Sequence, residues 1–188
     1  PESIIWMTQG TDLIVENNTF VNNQINPIMV GSAGGESTTN QFNSVTIKGN
    51  VFKNNMQRWS STPSTLSSVA TVYGANHVIF SDNVLDANKG RGATIRSYKT
   101  LQANNNKVTA HSSGYTSYGE TFYLIAAAND SAITTTLQGN SVDSIDGYFA
   151  YFRNPGFTTV QNNVIRNSNV GYGSDQAMFM YLSGSALS

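Results

Sequence analysis

Residues 15–23 read VENNTFVNN. Four of these nine residues are asparagine, a type that favours turns over strands or helix interiors, yet Val15, Phe20 and Val21 are woven among them. Five further segments share the pattern around Asn18. Together the six are LIVENNTF (13–20), VTIKGNVF (45–52), VIFSDNVL (78–85), LQANNNKV (101–108), TTLQGNSV (135–142) and TVQNNVI (159–165). The common asparagines are Asn18, Asn50, Asn83, Asn106, Asn140 and Asn163, spaced by 32, 33, 23, 34 and 23 residues. Three residues before each stands Val15, Ile47, Phe80, Ala103, Leu137 or Val160. Two after stands Phe20, Phe52, Leu85, Val108, Val142 or Ile165, so all twelve flanking positions are apolar. An internal repeat at this period marks a solenoid more than a hairpin or a heptad.

The short spacing of 23 defines the basic period. A further apolar segment recurs along the chain: SIIWM (3–7), PIMV (27–30), VATVY (69–73), ATIR (93–96), FYLIA (122–126), YFAYF (148–152) and MFMYL (178–182). Two or three short alternating strands separated by Asn/Gly/Ser turns fill such a period, leaving no room for a helix as well. The expectation is an all-β chain in which like strands stack in parallel about 4.8 Å apart, one coil per period. The longer periods carry Gly/Ser/Thr-rich insertions, placed at 31–44, 57–68 and 112–121. In VENNTFVNN itself, Val15 and Phe20 are expected to point inward and Asn18 to occupy a stack. Asn17, Asn22 and Asn23 are left to the turn and its exit.

With that pattern in hand, the sequence resembles the right-handed parallel β-helix, or pectin-lyase-like, superfamily. The likeness rests on the recurrent asparagine followed two residues later by an apolar side chain, and it covers residues 3 to 182. The resemblance implies a right-handed solenoid of about 6–7 coils with the asparagines stacked as an amide ladder. It says little about activity, because proteins of that superfamily include lyases, hydrolases, epimerases, tailspikes and non-enzymatic surface proteins. Residues 1–188 are read as a single β-helix domain.

Charge supplies a separate test of this register. Three residues after the asparagines the column runs Val21, Lys53, Asp86, Thr109, Asp143, Arg166. This places Lys53 over Asp86 and Asp143 over Arg166, while Glu16 and Lys48 meet two residues before the asparagines. Opposite charges on neighbouring strands favour a register by tenths of a kcal/mol.

Composition narrows the function classes. Net charge is −1 and only 11% of residues are charged, so no basic footprint for nucleic acid or an anionic membrane is present. The absence of cysteine excludes disulfides and thiolate metal sites. No apolar run reaches the roughly 18 residues of a membrane-spanning helix, and PESIIWMTQG (1–10) lacks the form of a signal peptide. An Asn/Ser/Thr/Gln surface of low charge points to an extracellular or surface-associated solenoid.

Candidate chemistry is sparse. Asp86 and Asp143 share a column two coils apart, about 9.6 Å at the backbone, near the upper end of inverting-glycosidase separations, but each has a basic neighbour. Asp82, Asp86 and Asp130 do not converge on one face, so no metal site and no cofactor is expected. His77 and His111 are placed far apart and read as polar turn residues. The one basic cluster, NKGRGATIRSYK (88–99), contains Lys89, Arg91, Arg96 and Lys99; it reads as a solvated strand edge, as the source of a lyase's Arg or Lys acting on an acidic sugar, or as a surface for an anionic glycan. In the second strand segment, Ile5/Met7, Ala70/Val72, Ala93/Ile95 and Ala150/Phe152 are the expected inward set. Trp6, Tyr73 and Tyr151 then point outward beside Arg96 and Arg153, where they could meet a sugar or another subunit. Two N-glycosylation sequons begin at Asn17 and Asn129.

Neither terminal segment carries the charged or Pro-bearing strand that protects an open solenoid edge. The expected partners are therefore other copies or further coils of the same solenoid, with a polysaccharide as the other candidate, and neither nucleic acid nor a membrane span. The leading functional expectation is a non-catalytic scaffold of a fibre, filament, adhesin or tailspike-like assembly. The alternatives are a polysaccharide lyase, epimerase or hydrolase domain, and a glycan-binding module.

Overall fold

The computed structural model describes residues 3–31, 42–56, 68–111, 120–127, 132–145, 147–168 and the backbone of 180–183. Among these residues every element is a strand, and the strands form three parallel sheets. Sheet I stacks β1 (Ser3–Met7), β4 (Asn26–Val30), β7 (Ser68–Tyr73), β10 (Arg91–Tyr98), β13 (Phe122–Ala126), β16 (Ala150–Arg153) and β19 (Met180–Ser183). Sheet II stacks β2 (Asp12–Glu16), β5 (Phe42–Lys48), β8 (Ala75–Ser81), β11 (Thr100–Asn104), β14 (Thr134–Gln138) and β17 (Phe157–Gln161). Sheet III stacks β3 (Thr19–Val21), β6 (Val51–Lys53), β9 (Val84–Asp86), β12 (Lys107–Thr109), β15 (Ser141–Ile145) and β18 (Val164–Ser168). Each coil passes through II, III and I in turn, so the chain is a parallel β-solenoid with three strands per coil.

The recurrent asparagine makes the corner between sheets II and III. The residue before it is left-handed in every coil: Asn17, Gly49, Asp82, Asn105, Gly139 and Asn162 have φ between 55° and 68°. Only Gly, Asn and Asp enter that region at low cost, which accounts for the residue types found there. The corner then aims the next side chain inward along the stack. Asn83 shows the geometry: its Oδ1 accepts from the backbone N of Asn50 at 3.0 Å, and its Nδ2 donates to Ile47 O at 3.0 Å and to Asn106 Oδ1 at 3.0 Å. The same bonds link Asn18, Asn50, Asn83, Asn106, Asn140 and Asn163 in sequence. A buried amide is thereby satisfied on both its donor and its acceptor side.

A second asparagine ladder occupies the corner between sheets III and I. Here Asn23, assigned from sequence to the turn exit, donates from its backbone N to Asn55 Oδ1 at 3.1 Å. Asn55 N donates to Asn88 Oδ1 at 2.9 Å. The Nδ2 groups of Asn55 and Asn88 reach back to Phe20 O and Phe52 O. The residue before each is again left-handed: Asn22, Asn54, Ala87, Ala110, Ser144 and Asn167. After three rungs the column changes chemistry, continuing as His111, Ile145 and Ser168. VENNTFVNN therefore holds the first rung of two ladders, at Asn18 and Asn23.

The core lies between the three sheets. It contains Val15, Ile47, Phe80, Ala103 and Leu137 from sheet II and Phe20, Phe52, Leu85, Val108 and Val142 from sheet III. Sheet I supplies Ala70, Val72, Ala93, Ile95, Ala150 and Phe152, and Ile5 and Met7 pack against the cluster. Like residues stack: the Phe20 and Phe52 rings lie 5.0 Å apart and nearly parallel. The expected charge register is found, with Lys53 opposite Asp86, Asp143 opposite Arg166 and Glu16 opposite Lys48. Lys53 Nζ is 3.4 Å from Asp86, whereas Lys48 turns to Asp82 at 3.9 Å rather than to Glu16.

The insertion boundaries need correction. Residues 42–44 open β5, because the Phe42 ring is buried in the core, and Ser68 opens β7. Thr121 is also buried. Gly31 and Glu120 likewise belong to the coils, Gly31 N donating to Met7 O and Glu120 being buried. Residues 32–41, 57–67 and 112–119 of the expected insertions, together with Asn129, Asp130 and residues 178–179, lie outside the described residues.

Candidate functional site

Side chains alternate along each strand, so the outer face of sheet I carries two adjacent columns. One runs Trp6, Met29, Thr71, Thr94, Tyr123, Tyr151; the other runs Tyr73, Arg96, Ile125, Arg153. The sequence-predicted contact residues are distributed unevenly over this face. Trp6 is 49% exposed, but three coils of Met29, Thr71 and Thr94 separate it from Tyr123. Tyr73 has the predicted outward direction but is buried at 6% exposure, and Thr71 and Thr94 beside it are fully shielded. Burial pushes the Tyr73 phenol above its ordinary pKa, keeping it neutral. Lys99 is exposed at the corner after β10, where its backbone N donates to Asn76 O, and it does not join the face.

Tyr73, Arg91, Arg96, Tyr151 and Arg153 do come together, and Tyr123 joins them. The Tyr123 and Tyr151 rings stack at 4.6 Å with an 11° tilt. The Arg91 guanidinium lies 3.9 Å from the Tyr123 centroid, and that of Arg96 lies 5.3 Å from Tyr123 and 5.5 Å from Tyr73. Cations over aromatic faces are attracted by the ring quadrupole, more strongly where water is excluded. Arg91 is not part of a solvated strand edge. It is 3% exposed, and its Nε donates to Glu120 Oε2 at 2.8 Å. This ion pair fixes Arg91 against one face of Tyr123 while Tyr151 stacks along the column.

Tyr123 and Glu120 were missed from sequence. Tyr123 was recoverable: FYLIA precedes YFAYF by one coil, and aligning them puts Tyr123 beneath Tyr151. Glu120 falls within the Gly/Ser/Thr-rich insertion 112–121, outside the repeat, so its approach to Arg91 had no sequence signal.

Beside the arginine column lies a small cavity of about 110 Å³, lined by Arg96, Ser97, Ile125, Ala126, Ala127, Arg153 and Asn154. Its shape follows from the backbone. The register between β10 and β13 slips at Ser97, where φ is 57°, and Asn154 is also left-handed at 54°. Such a bulge re-aims neighbouring side chains.

The carboxylates are engaged elsewhere. Asp86 accepts from Thr109 Oγ1 at 2.8 Å, and this hydrogen bond, helped by Lys53, holds its carboxyl below the usual range. Asp143 is lowered in the same sense by Asn167 Nδ2 at 2.8 Å and Ser144 Oγ at 3.1 Å, with Arg166 contributing through its charge. His77 lies within β8, with Nδ1 2.9 Å from Thr100 Oγ1, whereas His111 is fully buried in the second corner column. Asn17 is an exposed left-handed corner residue. Among the described residues no three His, Cys, Asp or Glu side chains converge. The face thus offers cations, aromatic surface and neutral phenol. No protein-family model matches this sequence, and no curated protein matches it.

Proposed function

We propose that this chain is a non-catalytic β-helical scaffold, a rigid part of an extracellular or surface assembly such as a fibre, filament, adhesin or tailspike. The outer face of sheet I is its glycan-contacting side. The finer likeness to right-handed, pectin-lyase-like solenoids belongs to this same reading. One observation carries it. The two carboxylates best spaced for sugar hydrolysis, Asp86 and Asp143, both have lowered pKa values fixed by neighbouring donors. A hydrolase of that design keeps one of its two acids protonated near neutral pH, and neither is suited to that role. The two amide ladders support a load-bearing part, since they fix coil upon coil by hydrogen bonds rather than by packing alone. Low charge and abundant Asn, Ser and Thr suit a surface protein.

Tyr123, Tyr151, Arg96 and Arg153 are the residues for a saccharide. Aromatic faces pack on sugar rings while guanidinium groups pair with carboxylate or sulfate. Other copies of the chain or further coils are the expected protein partners. The test is incubation with acidic and neutral polysaccharides, reading unsaturated and shortened products. No product is expected. Turnover that disappears in Asp86→Asn or Asp143→Asn would replace the scaffold with a hydrolase, and turnover lost in Arg96→Gln alone would replace it with a lyase.

A further inference from the structure

We infer that the cavity between Arg96 and Arg153 is a binding site for a single oxyanion group, a carboxylate or a sulfate. This deepens the glycan-contacting reading of sheet I and rests on it for the occupant's source, while the anion site itself stands or falls by anion titration. Arg96 and Arg153 stand in one outward column, separated only by Ile125, hence two coils or about 9.6 Å apart at the backbone. Both guanidinium side chains line the cavity, with Ser97 and Asn154 supplying further polar groups. Long arginine side chains can converge on a group held between them, whereas neutral Ile125 separates their like charges.

Two related observations point to an anionic occupant. Arg96 Nε is buried with no hydrogen-bond partner among the described residues. Nor does Arg96 share in any ion pair among them, and the one buried acid among them, Glu120, is paired with Arg91. A buried guanidinium donor without an acceptor is unfavourable, and a charged acceptor meets that need best. The size agrees as well. At about 110 Å³ the cavity holds a volume equal to about three or four water molecules, at ~30 Å³ each. That is the scale of an ionic group, below the several hundred Å³ that enclose a whole organic ligand. The stacked Tyr123 and Tyr151 rings lie in the next column, so a sugar bearing the anion could lie on them while its acidic group enters the cavity.

The experiment is titration of the folded chain with sodium sulfate, glucuronate and glucose at constant ionic strength. Binding is followed by calorimetry and by the amide resonances of Ser97, Ala126 and Ala127. Sulfate and glucuronate are expected to bind and to shift those amides, and glucose is not. Arg96→Gln should weaken both anions about ten- to a hundredfold, the range of a charged hydrogen bond. Arg153→Gln gives the second reading should Arg96→Gln disturb the fold, and Lys99→Gln should have no effect. Equal affinity for sulfate and glucuronate, unchanged by Tyr151→Ala, identifies a site for a free small anion. Tighter glucuronate binding that Tyr151→Ala removes identifies the acidic group of a saccharide. Failure of both anions to bind, glucose binding as well as glucuronate, or anion binding indifferent to both arginine substitutions overturns the proposal. None of these outcomes bears on whether the chain is catalytic.

Discussion

Replacing Asn106 by alanine tests the ladder where it is deepest. Asn106 Oδ1 accepts from Asn83 N at 3.1 Å and from Asn83 Nδ2 at 3.0 Å. Its own Nδ2 donates to Phe80 O at 2.8 Å and to Asn140 Oδ1 at 3.0 Å. Truncation leaves two buried backbone groups without partners, the Asn83 N–H and the Phe80 carbonyl. Asn83 Nδ2 keeps Ile47 O, and Asn140 Oδ1 keeps Asn106 N. At about 1–3 kcal/mol for each stranded group, the loss is about 2–6 kcal/mol. Asn18→Ala is the control, because Asn18 is exposed, water can replace its Nδ2 bonds to Glu16 O and Asn50 Oδ1, and Asn50 Oδ1 keeps Asn18 N; its cost should stay below about 1 kcal/mol. Urea unfolding of both variants gives the difference, with slopes compared because stacked coils can unfold in parts. Hydrogen exchange at the Asn83 amide localises it. If Asn106→Ala costs no more than Asn18→Ala, or Asn83 keeps its protection, the ladder is not what joins the third and fourth of these asparagine corners.

Three further outcomes follow from the same geometry. Gly139 sits at φ +68° with Asn105 Oδ1 close by, so Gly139→Val should cost more than about 1–2 kcal/mol. Gly139→Asn should cost less than Gly139→Val, since Asn17, Asn105 and Asn162 take that backbone conformation in other coils, although its Cβ meets the same Asn105 Oδ1; thermal melts of the two decide it. The carboxyl of Asp86 is lowered when folded, so its contribution is present above the ordinary pKa near ~4 and lost as pH falls below that value. Melting temperature should therefore drop from pH ~5 towards ~2, and the drop should be shallower in Asp86→Asn; identical profiles would count against the Thr109–Asp86 bond. Arg91→Met or Glu120→Gln alone should cost about 3–5 kcal/mol by leaving one buried charge, while the pair together should cost clearly less. A double-mutant cycle measures this, and simple additivity would show the two residues to be uncoupled.

The solenoid was readable from sequence because its turn demands a residue type. A left-handed corner followed by a buried amide leaves Asn, Gly or Asp and then Asn in all six copies, with apolar residues at fixed offsets. The second corner is equally left-handed but tolerates Ala87, Ala110 and Ser144, and its inward column holds asparagine in only three coils. The signal there is too diluted to recognise beside the first. The face of sheet I was half readable. Alternation gives the direction of Tyr73, Tyr151, Arg96 and Arg153, but alternation says nothing about what lies over a residue. Tyr73 is shielded and Trp6 is not, although both point outward. Glu120 of the Arg91–Glu120 pair falls in an insertion, and the bulge at Ser97 falls inside an uninterrupted 23-residue period; the asparagine spacing carries no information about either.

The two ladders differ in length, and mechanics follows from that difference. A hydrogen-bonded amide sets both distance and direction, while apolar contact at Ile145 sets only nearness. Coils carrying Asn23, Asn55 and Asn88 are joined by side-chain amides at two corners as well as by their three sheets. From His111 onward the side-chain amides continue at one corner only, at Asn106, Asn140 and Asn163, while at the other corner backbone bonds such as Ala110 N to Asp143 O still tie the coils. The step from Asn88 to His111 is thus where the stack gives up one of its two amide columns, and Arg96 and Arg153 stand on either side of it. Amide exchange at Ala110 faster than at Asn54 and Ala87 is the expected sign of a looser corner; uniform exchange across the step would mean that the backbone bonds hold as well alone.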